Sequence, residues 1–343
     1  MKKHLNTLYI TTQGTYLSKE GECVAVLVNK ELKARIPIHT IGSIVCFGQV
    51  SYSPYLLGHC TKNNVSLTHL TEYGKFLAKM QGPVSGNVLL RREQYLKAEN
   101  SKASQEITKG ILTGKIANCR TVLQRGARDH GENGHGERLS LASQRLTNGM
   151  RNLKTANSVD AMRGIEGDAA NAYFGAFKYL ITNKNDCFSF NGRNRRPPLD
   201  ATNCLLSFLY SLLMNDVRSA LECVGLDPCV GYLHKVRPGR QSLALDIMEE
   251  FRPFFADRLA LTLMNRKQVT PKSFTYTESS AVYMSEEARK TLLVAYQNRK
   301  QEEVTHPFLK EKMTIGMLWH VQSRLLARYI RGDLDMYPPF IWK

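Results

Sequence analysis

Several signals that would direct interpretation are missing from this 343-residue sequence. It has no run of 18 uncharged apolar residues, which argues against a membrane-spanning helix. No secretory leader with a small-residue cleavage site is recognisable at the amino terminus. Its eight cysteines include no CxxC pair, so we expect reduced core thiols and no zinc site built on cysteine. These absences favour a cytoplasmic globular protein without a membrane partner.

Acidic residues are also scarce. Forty-seven Lys and Arg residues stand against thirty Asp and Glu, a formal net charge of +17 at pH 7. Such a surplus favours a polyanionic partner, with nucleic acid ahead of an acidic membrane surface. The basic residues are spread along the whole chain and form no tail, as expected of a large binding surface. A basic protein without any such partner remains the alternative.

The pattern of apolar residues changes near residue 87. Before it, short runs rich in β-branched and aromatic residues alternate with turn signals, which predicts a small antiparallel β domain over residues 1–87. The segment SPYLLGHCTKNN predicts one short helix within it. Residues 88–343 show apolar residues at helical spacing. The sequence therefore predicts an α+β protein whose second, larger domain is all-α-helical.

An acidic cluster in the second domain is unexpected in so basic a chain. The segment SLALDIMEEFRPFF predicts a helix with an apolar stripe of Leu243, Ile247 and Phe251. Asp246 and Glu249 are three residues apart and share another face. Glu250 lies one step further round the helix. A solvated acidic face is the simplest interpretation of these three residues.

Two other residues point to a metal site instead. His234 precedes Asp246 by twelve residues across a Pro-Gly turn, which is close enough to fold back. Glu166 lies among small residues on a segment that can pack closely against a neighbouring helix. Carboxylates with a neutral imidazole suit Mn²⁺, and Mg²⁺ can use carboxylates and water. A divalent cation would neutralise the acids and present positive charge to phosphate.

Basic residues near these positions are candidates for phosphate contacts. Each of them can equally be a solvated arginine or lysine, or one paired within the protein. The candidates are Arg91, Arg92, Arg193, Arg195, Arg196, Lys235 and Arg237.

Motifs from one end of the chain to the other resemble a known family. It is the CRISPR-associated endonuclease that acts as the spacer integrase of the adaptation complex, and the last motif resembles its subtype I-C branch. The motifs are LYITTQGTYLSKEGE, FGQVSYSP, GPVSGNVLLRREQY, IEGDAANAYF, RNRRPPLDATNCLLSFLYSLL, GYLH, LALDIMEEFRP, HPFLKEKMTIGML and RGDLDMYPPFIWK.

The resemblance implies which residues are catalytic. The family's metal-binding glutamate, histidine and acidic residue fall on Glu166, His234 and Glu249, so these three would bind Mg²⁺ or Mn²⁺. Asp246 matches a further acidic catalytic position, whose role as a direct ligand is left open. The implied reaction is transesterification, in which the 3′-hydroxyl of a captured DNA fragment attacks a phosphodiester at the edge of a CRISPR repeat.

The resemblance also implies partners. These are double-stranded DNA, a second copy of the chain bound through the β-rich domain, and a dimer of a small ferredoxin-fold protein flanked by two such dimers. A RecB-like exonuclease is a further expected partner. Two alternatives stay open: a stand-alone metal-dependent nuclease of branched DNA, and a non-catalytic DNA-binding scaffold.

Overall fold

The computed structural model describes residues 6–80, 87–129, 135–195, 197–278 and 280–342. These residues form two compact units. The first unit comprises residues 6–80 together with Met284–Asn298, and the second comprises the described residues of Asn87–Tyr283 and of 299–342. Within the described residues, no helix is long and apolar enough to cross a membrane.

Residues 6–80 of the first unit form two four-stranded sheets and one helix. The sheets have the strand orders β1-β5-β7-β8 and β4-β3-β2-β6. The elements are β1 (Asn6–Ile10), β2 (Thr15–Glu20), β3 (Cys23–Val28), β4 (Glu31–Pro37), β5 (Ile41–Phe47), β6 (Val50–Tyr52), α1 (Pro54–Lys62), β7 (Ser66–Leu70) and β8 (Phe76–Met80). Leu17, Val24, Ile44 and Leu56 are fully buried in the core that both sheets share with α1.

The predicted strand content is confirmed, but the prediction that the sheets are antiparallel is wrong. The pairs β1 with β5, β5 with β7 and β2 with β6 are parallel, whereas β2–β3, β3–β4 and β7–β8 are antiparallel. The chain leaves β5 and returns to β7 through β6 and α1, and such a crossover brings a strand back in the same direction. The sequence pattern predicts strands but does not give their directions.

The second unit is mainly helical, as predicted. Its helices are α2 (Val88–Glu99), α3 (Ser101–Asp129), α4 (His135–Thr155), α5 (Val159–Phe177), α6 (Ala201–Val224), α7 (Ser242–Met248), α8 (Arg258–Asn265) and α10 (Leu318–Arg331). Helix α9 (Glu286–Gln301) belongs to the first unit up to Asn298. The second unit is not all-helical, because short strands form two two-stranded ribbons. These are β9 (Phe274–Tyr276) with β10 (Val282–Met284), and β11 (Glu303–Thr305) with β12 (Lys312–Thr314).

The acidic segment does not form the single helix that its periodicity predicts. Helix α7 ends at Met248, and a π-helical turn over Arg252–Asp257 precedes α8. Pro253 has no N–H to donate to the preceding turn, so the regular helical bonding is interrupted there. The predicted apolar stripe is nevertheless fully buried, at Leu243, Ile247 and Phe251.

None of the eight cysteines forms a disulfide. Cys46, Cys60, Cys119 and Cys204 are buried, as expected of core thiols. Cys223 and Cys229 are exposed, so the expectation of burial is wrong for these two.

Candidate metal and DNA site

The predicted acids are buried and do not form a solvated face. Asp246 and Glu250 have no exposed surface, and Glu249 is 2% exposed. Because buried carboxylates occur almost only with partners, each must be satisfied inside the protein. Asp246, Glu249 and Glu250 each have different partners, and these partners indicate a different role for each residue.

Asp246 organises the loop that carries His234. Its carboxylate accepts the backbone N–H groups of Tyr232, Leu233 and His234 at 2.7, 3.0 and 2.9 Å. Its Oδ1 also lies 2.6 Å from Nδ1 of His234. A side chain at Gly231 would place Cβ 2.7 Å from Oδ2 of Asp246, so only glycine lets the loop close around the carboxylate.

This arrangement fixes the histidine ring. A carboxylate that accepts from Nδ1–H leaves the lone pair on Nε2, which is the usual way that proteins orient a metal-binding imidazole. Among the described residues, no hydrogen bond to Nε2 of His234 is present. The predicted proximity of His234 and Asp246 is therefore seen in the structure, with Asp246 fully engaged in holding the loop.

Glu249 points toward α3 and α5. Lys115 on α3 lies 2.8 Å from its Oε2, and Arg252 lies 2.6 Å from its Oε1. The ammonium of Lys115 also pairs with Oε1 of Glu166 on α5. One buried cation thus joins the carboxylates of Glu166 and Glu249, which are 83 positions apart in sequence.

The charges around Glu249 keep it ionised. Burial alone would raise the pKa of Glu249, but the nearby Arg252, Lys115 and His234 outweigh it and lower that pKa to about 2. Burial likewise acts to lower the pKa of Lys115, but Glu249 and Glu166 outweigh it and raise that pKa above its ordinary value. The Glu249 carboxylate and the Lys115 ammonium are therefore both charged.

Glu250, one residue further, faces away from this cluster. Its carboxyl group accepts from Tyr337 Oη at 2.6 Å, from the Phe340 N–H at 2.7 Å and from Gln322 Nε2 at 3.0 Å. Burial raises its pKa to about 8 against these bonds. Glu250 therefore anchors the carboxyl-terminal segment.

Glu166, Glu249 and His234 have side chains of the types that bind a hard or borderline divalent ion. Oε2 of Glu249 is buried and receives no well-directed hydrogen bond despite the nearby ammonium. The side chain of Glu166 is 28% exposed. In the part of the chain that the structure describes, no three His, Cys, Asp or Glu side chains are grouped closely enough to hold a metal ion. The Lys115 ammonium lies between the two glutamates.

A second buried network lies beside the first, and sequence reasoning missed it. Asp257, in the π-helical turn, accepts from Tyr210 Oη at 2.6 Å and from Tyr173 Oη at 3.0 Å. Burial raises the pKa of Asp257 to about 6, against the bonds from both tyrosines and nearby arginine charges. The guanidinium of Arg252 lies 4.7 Å from the centroid of the Tyr210 ring, which connects this network to Glu249.

The predicted phosphate-binding residues fall into different environments. Arg195, Lys235 and Arg237 are exposed. Burial lowers the pKa of Arg240, and so do the charges of Arg237, Arg195 and Arg163, so these arginines form one basic patch on the His234 side of the unit. Sequence reasoning missed Arg163 and Arg240. Arg240 follows His234 by six residues and Arg163 precedes Glu166 by three, and these spacings were the available signal.

The remaining basic candidates lie elsewhere. Arg193 bonds with Asn203 Oδ1 at 2.6 Å and Ser207 Oγ at 3.0 Å, so its guanidinium organises the loop before α6. Arg91 and Arg92 line a shallow depression on α2. Arg196 lies outside the described residues.

The fold and site define the chain as a two-unit α+β protein with a buried acidic centre beside a basic patch. Residues 8–298 match the family model described as CRISPR associated protein Cas1. A protein of Chlorobaculum tepidum named CRISPR-associated endonuclease Cas1 1 is 57% identical over all of both chains. One of Rhodospirillum rubrum, named CRISPR-associated endonuclease Cas1 2, is 49% identical, again over all of both chains. The chain belongs to the Cas1 family.

Solved structures confirm the fold. A Cas1 protein from Thermotoga maritima matches with a TM-score of 0.81 at 23% identity, over 96% of this chain and 97% of that one. A casposase bound to integration product matches with a TM-score of 0.83 at 23% identity, over 99% and 95%. A chain of a Cas6-RT-Cas1–Cas2 complex matches with a TM-score of 0.83 at 19% identity, over 100% of this chain and 36% of that one.

One further relative carries an additional activity in its name. It is a protein of Geobacter sulfurreducens named as a fusion of CRISPR-associated exonuclease Cas4 and endonuclease Cas1. It is 33% identical over 97% of this chain and 60% of its own length.

Proposed function

We propose that this chain is a metal-dependent DNA endonuclease and integrase that inserts short DNA fragments into a CRISPR array. The observation that carries the proposal is the meeting of Glu166 and Glu249 around one buried cation, with the oriented imidazole of His234 nearby, in a chain of the Cas1 family. The names of the relatives support nuclease activity, and the casposase neighbour supports integration.

Glu166, Glu249 and Nε2 of His234 would hold Mg²⁺ or Mn²⁺. When bound, the ion would act as a Lewis acid that lowers the pKa of an attacking hydroxyl and stabilises charge on the phosphate. Asp246 would act as a positioning residue, because its four hydrogen bonds hold the loop and the ring of His234 in place. Arg252 would keep Glu249 ionised and directed toward the centre.

The proposed reaction joins two DNA molecules. A 3′-hydroxyl of the captured fragment attacks a phosphodiester at the edge of a repeat, which forms a new phosphodiester and releases another 3′-hydroxyl. No covalent bond to the protein is required. The exposed arginines of the basic patch, Arg195 and Arg237, would contact the phosphates of the DNA without reading its sequence. Lys235, whose ammonium lies 3.7 Å from Oδ1 of Asp160, would be a further phosphate contact.

The proposed assembly contains other proteins. We infer a homodimer formed through the β-rich unit, and two such dimers on either side of a dimer of a small ferredoxin-fold protein. The Cas1–Cas2 complex among the structural neighbours supports a companion of this kind. The Cas4 and Cas1 fusion supports an association with a RecB-like exonuclease. We also propose that the chain belongs to the subtype I-C branch of the family.

A joining assay tests the function. The protein and its companion are incubated with short duplex DNA and a supercoiled CRISPR plasmid in Mg²⁺, in Mn²⁺ and in EDTA. Joined products that disappear in EDTA support the proposal. Cleavage without joining would favour the stand-alone nuclease, in which water replaces the 3′-hydroxyl. Tight DNA binding with neither reaction would favour the scaffold.

A further inference from the structure

Lys115 occupies an unusual position for a lysine. It lies in the middle of α3, with 9% of its side chain exposed, between Ile111 and Cys119 on the buried side of that helix. The helix approaches the Glu249–Glu250 segment closely here: a Cβ added at Gly114 would lie only 3.0 Å from Cγ of Glu250. The close approach brings the Lys115 ammonium between Glu166 and Glu249.

The four contacting side chains are balanced in charge. Glu166 and Glu249 contribute two negative charges, and Lys115 and Arg252 contribute two positive charges. A divalent ion bound by both glutamates would meet the Lys115 ammonium at the same oxygens. Two cations so close together repel each other strongly in a buried site. One of the resident cations must therefore move when metal binds.

Lys115 is the cation that can move. The guanidinium of Arg252 has other contacts, with the face of Tyr210 at 4.7 Å and with Sδ of Met248 at 3.7 Å. Among the described residues, the Lys115 ammonium contacts only Glu166 and Glu249. It also sits at the end of a flexible four-carbon stem, whereas the guanidinium is a rigid fork.

We propose that Lys115 is the internal counter-ion of the metal site, which holds Glu166 and Glu249 together without metal and competes with metal for their oxygens. This inference rests on the proposed metal-dependent function. It predicts that Lys115 stabilises the metal-free protein and weakens metal binding. A lysine that was only structural would stabilise the protein equally with and without metal.

The test measures Mn²⁺ binding and thermal stability in the full-length protein. Free Mn²⁺ is counted by electron paramagnetic resonance during a titration, and the melting temperature is recorded in EDTA and in Mn²⁺. Lys115→Met should melt lower than wild type in EDTA, and Mn²⁺ should raise its melting temperature more. It should bind Mn²⁺ at least about tenfold more tightly, which corresponds to about 1.4 kcal/mol. Lys109→Met is the control, because Lys109 lies on the same helix and donates to the backbone of Lys154.

A second variant keeps the test decisive if Lys115→Met folds poorly without metal. Lys115→Met with Glu249→Gln removes one charge of each sign, so it should recover melting temperature in EDTA relative to Lys115→Met alone. Failure to recover would overturn the counter-ion role. Equal or weaker Mn²⁺ binding by Lys115→Met would also overturn it. Absence of Mn²⁺ binding to the wild-type protein would instead contradict the proposed function.

Discussion

Nδ1 of His234 lies 2.6 Å from Oδ1 of Asp246, and the same carboxylate accepts the backbone N–H of His234 at 2.9 Å. The histidine is thus held at both its ring and its main chain by one fully buried side chain. Such double support restricts the ring to one orientation before any ligand arrives. Because Asp246 holds the loop and His234 does not, substitution of the two residues should affect joining and stability differently.

His234→Ala should reduce joining strongly in Mg²⁺ with little loss of stability. The ring is partly exposed, and its removal leaves the Asp246 carboxylate with its three backbone donors. High Mn²⁺ should partly restore joining, because Mn²⁺ tolerates a changed ligand set more readily than Mg²⁺. The measurements are joining rates in the two metals and a thermal melt.

Asp246→Ala should lower both joining and stability. It leaves the buried backbone N–H groups of Tyr232 and Leu233 and the partly buried N–H of His234 without their acceptor. Each buried group costs about 1–3 kcal/mol. Mn²⁺ should not restore the lost stability. If Asp246→Ala melts like wild type while His234→Ala unfolds, the roles given to these two residues are reversed.

Glu249 and Glu250 should separate chemistry from stability. Glu249→Gln should abolish joining and leave a folded protein, because glutamine keeps the volume of the side chain but not its charge. Glu250→Ala should lower the free energy of unfolding, because three buried donors lose their acceptor: Tyr337 Oη, Gln322 Nε2 and the Phe340 N–H. Each such loss costs about 1–3 kcal/mol. Denaturant melts and joining assays on both variants check this. An inactive, stable Glu250→Ala beside an active Glu249→Gln would show that the functions of the two are exchanged.

Much of this organisation could be predicted from the sequence. The β-rich and helical regions follow from periodicity, and His234 and Asp246 are close enough in sequence for a turn to bring them together. Lys115 was missed, although a lysine three residues after Leu112 and four after Ile111 falls within an apolar stripe. That position is a signal for a buried, paired cation.

Other features could not be predicted because they depend on distant partners. Glu249 and Glu250 are adjacent and chemically identical, yet one meets Lys115 and the other meets Tyr337, 87 residues away. Which acid faces which partner is decided by packing between helices. The parallel strand pairs escaped prediction for a similar reason, since strand direction depends on the route of the connecting chain.

Asp257 should make stability depend on pH. Its folded pKa of about 6 lies above the ordinary value of 3.8, so the folded state binds the proton more tightly than the unfolded state. Stability should therefore fall as pH rises from about 4 to about 6, by an amount on the order of 3 kcal/mol. The difference in unfolding free energy between wild type and Asp257→Asn should change over that pH range. A constant difference would show that Asp257 does not titrate there.

DNA binding should depend on the exposed part of the basic patch. Arg195→Ala with Arg237→Ala should weaken DNA binding for all sequences, because phosphate contacts carry no base information. Each lost contact should flatten the slope of log affinity against log salt by roughly one unit. Arg331→Ala is the matched control, since Arg331 is paired with Asp333 at 2.7 Å on the surface.

Arg193→Ala should instead lower the melting temperature, because the Arg193 guanidinium holds the loop before α6.

Glu249→Gln gives the opposite result in the same binding assay. Removing the negative charge of Glu249 beside the basic patch removes repulsion toward phosphate when no metal is present, so affinity in EDTA should be kept or raised while joining is lost. Binding isotherms across a salt series, measured in parallel with joining, separate the two effects. An Arg195→Ala, Arg237→Ala double variant with unchanged affinity and salt slope would exclude these arginines from the DNA surface. They would then be solvated residues of a basic protein.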